Sequence, residues 1–389
     1  MKELKQTFNE QFGEEGEKVL FFAPGRVNLI GEHTDYNGGH VFPCALSVGT
    51  YAVARKREDQ KIRFYSMNFP NQGIIETSVD SLLYKEQDDW ANYPKGVIAL
   101  FQKAGYTIPS GLDLAFYGNI PNGAGLSSSA SIELVTSVVL RDLYNLSVDM
   151  VEMVKLSQRA ENEFVGVNCG IMDQFAIGMG KRDHAILLNC DTLHYKHTPI
   201  KLESHALIIA NTNKRRGLAD SKYNERRTQC EEALKALQQE LAIDTLGDVT
   251  EEQFDAHQHV IRDQEARKRA RHAVYENRRT MKAVDFLNEG NVEAFGQLMN
   301  ESHVSLRDDY EVTGKELDAM VEAAWEEGAV GSRMTGAGFG GCTISIVKKD
   351  HIQSFIDRVG ETYTKKTGLE GDFYVVEIGD GAHKVEDFA

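Results

Sequence analysis

The chain has 389 residues, 26% of them charged and 41% apolar, which is the composition of a water-soluble globular protein at a length where a single core stops growing, so two lobes are expected. A formal charge of −16 gives no general attraction to phosphate backbones or anionic lipid, and this argues against nucleic-acid and membrane partners. Five scattered cysteines without Cys-x-x-Cys spacing suit neither a disulfide framework nor a structural zinc; with a charged N-terminus that is no signal peptide and no bilayer-length apolar run, they point to the cytoplasm.

In chain order, "KVLFFAPGRVNLIG" reads as a strand broken at Pro24-Gly25, and "GTYAVARKR" and "KIRFYSM" read as two more. "GLDLAFYGNI" alternates like a strand, whereas "SASIELVTSVVLRDLYNL" carries Ile132, Val135, Val139 and Leu143 at helical spacing. From about Asp220 to Leu298 the sequence turns charged and helical, and strands return in "CTISIVKK" and "GDFYVVEIG". The expected class is α/β (α+β) with mixed sheets, divided between Lys201 and Asn213 into an N-terminal lobe of residues 1–205 and a C-terminal lobe of residues 206–389.

Four segments carry chemistry. "IPNGAGLSSSAS", between a strand and a helix, would aim backbone N–H groups along the positive end of a helix dipole, where an anion is favoured. Gly123 and Gly125 permit close approach, and Ser127, Ser128 and Ser129 add hydroxyls suited to phosphate or magnesium. It lacks the Gly-Lys-Ser/Thr of a Walker loop, and a serine-rich cap after a tight turn explains the segment alone equally well. "RMTGAGFGGCTISIV" contains G-x-G-x-x-G at Gly336, Gly338 and Gly341, but these glycines run into a β-branched strand rather than a helix, so the dinucleotide fingerprint is rejected. "GRVNLIGEHTDYNGGH" crowds Arg26, Glu32, His33, Asp35 and His40 around glycine turns, a set suited to a polyhydroxylated ligand. Its two histidines and two acids could hold a cation, yet the HExxH spacing is missing. In "AENEFVGVNCGIMDQFAIGMG", Glu161 ends a helical run, and Asp173 lies among apolar neighbours as a functional carboxylate or a cap on the next helix. The basic run "RDQEARKRARHAVYENRR" is interleaved with Glu265 and Glu276 and reads as a solvated helix face.

Together these segments resemble a known family. "GRVNLIGEHTDYNGG" resembles the galactokinase signature, "PNGAGLSSSAS" and "GAGFGGC" resemble the second and third motifs of the wider family of galactokinase, homoserine kinase, mevalonate kinase and phosphomevalonate kinase, and "CGIMDQF" is similar to galactokinases. The resemblance is collinear from about Phe22 to Ile346. It implies a two-lobed small-molecule kinase fold with the active site in the cleft, and ATP-dependent phosphorylation of D-galactose at the C1 hydroxyl. It further implies that Gly123, Ala124, Gly125, Leu126, Ser127, Ser128 and Ser129 hold the nucleotide phosphates with Ser66 near the nucleotide. Ser129 and Glu161 would hold Mg2+, Glu32, His33, Thr34, Asp35 and Tyr223 the sugar, and Asp173 would act as base with Arg26 as its electrostatic partner. An N-acetylgalactosamine kinase and a non-catalytic galactose/ATP sensor are the alternatives; the protein is expected to be a monomer.

Overall fold

The structure, a computed structural model, describes residues 1–120, 125–214 and 219–386. Six strands form the first sheet: β1 (Val19–Asn28), β3 (Pro43–Lys56), β4 (Lys61–Ser66), β5 (Ile75–Ser78), β6 (Leu112–Gly118) and β13 (His383–Lys384), ordered β13-β1-β3-β6-β4-β5. Among the described residues only β4 and β6 run parallel. Alternate side chains explain the nearly unbroken apolar run of β1. Leu20 faces α1 (Lys2–Phe12) with Val53 and Ala115, whereas Phe21 and Ala23 face α2 (Asn92–Lys103), α3 (Ser128–Tyr144), α4 (Met150–Arg159) and α5 (Met172–Met179) across the main core. Both faces of the strand are covered, so both must be apolar.

The expected break at Pro24-Gly25 is instead a shift of register within a continuous β1. Pro24 itself still pairs with Gly49, and the extra residues lie on β3, where Leu46, Ser47 and Val48 stand opposite Gly25 before pairing resumes between Arg26 and Ala45. A Cβ on Gly25 would come within 2.9 Å of the Leu126 carbonyl oxygen, and the Arg26 N–H donates to that same oxygen at 3.2 Å. Gly25 is therefore the contact that lets the serine-rich loop lie directly on β1.

A second, antiparallel sheet orders β10 (Gly331–Thr335), β11 (Cys342–Lys348), β9 (His205–Asn211) and β12 (Asp372–Val376). Leu207 and Ile209 of β9 point into a core shared with Val27, Leu29 and Phe42 of the first lobe. Ile208 and Ala210 point to α10 (Lys315–Glu326) and α11 (Ile352–Thr367). A small sheet of β2 (His40–Val41), β7 (His184–Asn189) and β8 (Tyr195–Pro199) completes the strands.

The charged helical region forms α6 (Ala219–Leu237), α7 (Glu251–His257), α8 (Gln264–Asn288) and α9 (Val292–Asp308). The basic run is not simply a solvated face, because Arg269, His272, Glu276 and Asn277 of α8 are buried. Their polar atoms are used internally: Arg269 pairs with Glu265 and Glu311, and His272 Nε2 lies 3.1 Å from the Glu32 carbonyl. Among the described residues no helix is long and apolar enough to cross a membrane. The last strand, β13, returns to pair with Phe21 and Phe22 of β1, and the segment before it bonds Gly180 and Ile177 at the end of α5.

Candidate active site

Three of the four segments line a cavity of about 480 Å3 in the cleft, and the serine-rich loop joins them through its bonds to Arg26 and Asp173. On one wall Arg26 of β1 forks onto Asp173, with Nε 2.8 Å from Oδ1 and Nη2 2.6 Å from Oδ2. Its third nitrogen donates to the Gly125 carbonyl at 2.9 Å, so one guanidinium ties the acid to the serine-rich loop. Burial opposes the charge on Arg26, but attraction and hydrogen bonds from Asp173 prevail, and its pKa is raised. Asp173 is in the first turn of α5, whose cap position is Ile171 with no side-chain cap bond. The capping explanation thus does not apply. Its carboxylate remains 31% exposed and also accepts from the Ser127 hydroxyl.

The opposite wall is the loop after β1. Glu32 Oε1 accepts from the Gly336 N–H at 2.8 Å, Thr335 Oγ1 at 3.1 Å and Arg333 Nη1 at 3.3 Å, so this acid anchors the third glycine turn while lining the cavity. His33 sits at φ 61°, and burial, then the nearby His272, push its pKa down to about 3. Asp35 is half-buried and lines the cavity. Burial and the neighbouring Asp173 push it up to about 6. Gly170 presses on it so closely that a Cβ there would lie 2.0 Å from Asp35 Oδ2. Tyr223 closes the cavity from α6, its ring 5.6 Å from that of His33. Thr34 is fully buried and outside the lining; its hydroxyl lies 2.9 Å from the Gly31 carbonyl and 2.7 Å from that of His40, which shapes the loop. His40 is held by Asn277 at 2.9 Å, away from the cavity.

A smaller cavity of about 190 Å3 lies beyond the serine-rich loop and joins Ser66, Ser128 and Ser129 with Asn68, Phe69, Trp90 and Tyr93. Gly123 and Ala124 fall outside the described residues. Gly125 has φ 68° and Ser127 φ 61°, while the Leu126 side chain is buried in the core shared by the lobes. Glu161 leaves a wide helical turn, Ala160–Val165, and accepts from Gln174 Nε2 at 2.6 Å. Burial and then Asp173 raise its pKa against a bond from Ser129. The residues a sequence reading missed are those with no local pattern: Trp90 and Tyr93 in the small cavity, Arg333 behind Glu32, and Glu133, which shares Gln174 with Glu161 at 3.0 Å. Among the described residues no three His, Cys, Asp or Glu side chains gather as a metal site.

The geometry offers a polar cavity lined by Arg26, Glu32, His33, Asp35 and Tyr223 next to a serine loop at the start of α3, with the carboxylate of Asp173 held between them. Comparison with known proteins agrees with it. The galactokinase galactose-binding signature matches residues 6–56, and the GHMP kinase N-terminal and C-terminal domains match residues 92–181 and 283–365. A galactokinase of Fusobacterium nucleatum is 62% identical over 388 residues, covering 99% of this chain and 100% of that one. A Bacillus subtilis galactokinase is 59% identical, covering 99% of each. Lactococcus lactis galactokinase, solved in complex with galactose, superposes with a TM-score of 0.96 at 50% identity over 99% of each chain. Methanococcus jannaschii mevalonate kinase, at 18% identity, shares the two-lobed α/β fold with a TM-score of 0.66, covering 94% of this chain and 100% of that one. With such identity sustained from end to end, the chain belongs to the galactokinase family of GHMP kinases.

Proposed function

We infer that the chain transfers the terminal phosphoryl group of ATP to the C1 hydroxyl of D-galactose, giving galactose 1-phosphate. The observation that carries the mechanism is the two-bond fork of Arg26 on Asp173, placed where the large cavity meets the serine-rich loop. Glu32, His33, Asp35 and Tyr223 line the sugar side, and Asp35 offers carboxylate oxygens to hydroxyl donors. Asp173 accepts the C1 proton as the hydroxyl attacks phosphorus. Arg26 keeps that acid aligned, and its charge faces the group in transfer. Hydroxyls and N–H groups at the start of α3 receive the phosphates.

Ser129 and Glu161 fit a magnesium ion: they are hard oxygen donors within hydrogen-bond reach, and the raised pKa of Glu161, due to burial and Asp173, marks negative charge that a cation would relieve. Bound there, the ion would offset charge on the phosphate oxygens. On this reading residues 1–205 supply both loops, and residues 206–389 supply Tyr223 and the third glycine turn. A cytoplasmic monomer is in keeping with five scattered cysteines that lack Cys-x-x-Cys spacing and a charge of −16.

The test is Asp173→Asn. Galactose binding by calorimetry should persist while kcat falls by about 10²–10⁴-fold, the usual worth of a general base. A folded, galactose-binding variant that turns over at the parental rate would refute the assignment. A sugar panel with N-acetylgalactosamine separates the nearest alternative, and ATP turnover itself separates a sensor.

A further inference from the structure

We propose that Tyr36 and Tyr310 are positioning residues that fix His33 as a neutral imidazole with its proton on Nε2, a single N–H that clamps the third glycine turn to the sugar loop. One carbonyl sets the direction of the whole chain of bonds. His33 Nε2 lies 3.2 Å from the Ala337 oxygen, and a carbonyl only accepts, so Nε2 carries a hydrogen. Burial, His272, Arg226 and Arg333 keep the ring uncharged near neutral pH, which leaves Nδ1 as an acceptor.

Every later direction follows. Nδ1 is 2.8 Å from the Tyr36 oxygen, so Tyr36 donates to it. Tyr36 has then spent its hydrogen and accepts from Tyr310, 2.7 Å away. Tyr310 in turn accepts from the Cys230 thiol at 3.3 Å. Tyr310 and Cys230 are buried to 0% and 1% exposure, so water cannot substitute for the inner donors. The chain links α6, the segment after α9, the sugar loop and the turn at Ala337. It also answers a local strain, because His33 holds a left-handed φ of 61° that a non-glycine residue keeps only when its surroundings insist. A ring fixed this way has its one N–H on the Ala337 carbonyl and its lone pair on Tyr36, so it presents the cavity with no free base and does not compete with Asp173 for a proton.

The kinetic part rests on the galactose-kinase reading; the tautomer does not. Nitrogen-15 NMR of histidine-labelled protein, with His33 identified by its loss in His33→Asn, should show Nε2–H in the parent. Tyr36→Phe should mix the tautomers and raise the galactose KM by about tenfold, the worth of about one hydrogen bond, with kcat and the ATP KM within about twofold. Tyr310→Phe, a buried near-isostere that guards against misfolding of the first variant, should shift both readouts the same way by about threefold, and Cys230→Ala less. A parent His33 protonated on Nδ1 or on both nitrogens overturns the proposal, as does an unmoved tautomer and galactose KM in Tyr36→Phe, or, where that variant does not fold, in Tyr310→Phe. A parent with the Nε2–H tautomer that fails to phosphorylate galactose would instead sink the functional reading and leave the positioning chain standing.

Discussion

Asp35→Asn should stabilise the sugar-free protein while disabling it. The carboxyl is lifted from its ordinary 3.8 to about 6 by burial, then by Asp173 and Glu32, and each tenfold gain in proton affinity is worth about 1.4 kcal/mol. The folded chain holds this proton more tightly than the unfolded one, so stability falls as pH rises from about 4 to about 6 and the loss is complete above that. The whole difference in affinity corresponds to about 3 kcal/mol; solvent in the cavity screens part of it, leaving about 1.5–3 kcal/mol for the amide to recover. With an unfolding entropy of about 0.8 kcal/mol/K for a chain of this length, the variant should melt about 2–4 °C above the parent at neutral pH. Scanning calorimetry without sugar at about pH 4.5 and about pH 7.5 should show the gap open as pH rises. Galactose at about a thousand times its Kd should reverse the order, since only the parent gains about 4.1 kcal/mol there. A variant that melts with or below the parent at neutral pH, or a gap independent of pH, would refute the reasoning.

Ser129→Ala and Glu161→Gln should each raise the magnesium needed for half-maximal rate by at least about threefold with little change in galactose binding, read by metal titration. Gly170→Ala would drive a Cβ to within 2.0 Å of Asp35 Oδ2; steady-state kinetics should show the galactose KM up by at least about tenfold and the ATP KM unchanged. Asp113, fully buried, holds Arg55, Arg57 and Arg63 at 2.7, 3.1 and 2.7 Å, and Asp113→Ala should cost about 3–5 kcal/mol in urea unfolding because three cations lose their shared partner.

Much of the site was legible because its chemistry is local in sequence. Glycines mark where backbone must come close, and Gly25 and Gly170 each stand at such a contact. Asp173 and the Arg26 that holds it stand in two motifs that were readable in the sequence and that folding brings together. Side-chain direction was not readable. Thr34 belongs to the sugar motif by sequence, yet its hydroxyl is turned to the loop's own carbonyls. Pro24 reads as a break because a missing N–H usually ends a ladder, and only the register shift shows how the strand survives it. Trp90, Glu133, Arg333 and Tyr310 meet the site through pairings across the whole fold, for which no neighbouring residue gives notice.

The pairing of β13 with β1 has a consequence for biosynthesis. Phe21 and Phe22 wait for Lys384 and His383, some 360 positions later, and at about 5–20 residues per second that is about 20–70 s of synthesis. Until then one edge of β1 lacks its partner strand, an open template for a wrong strand. The same late segment bonds the Gly180 and Ile177 carbonyls at the end of the helix that carries Asp173, so the nascent enzyme completes the contacts of that helix only after residues 381 and 382 have left the ribosome.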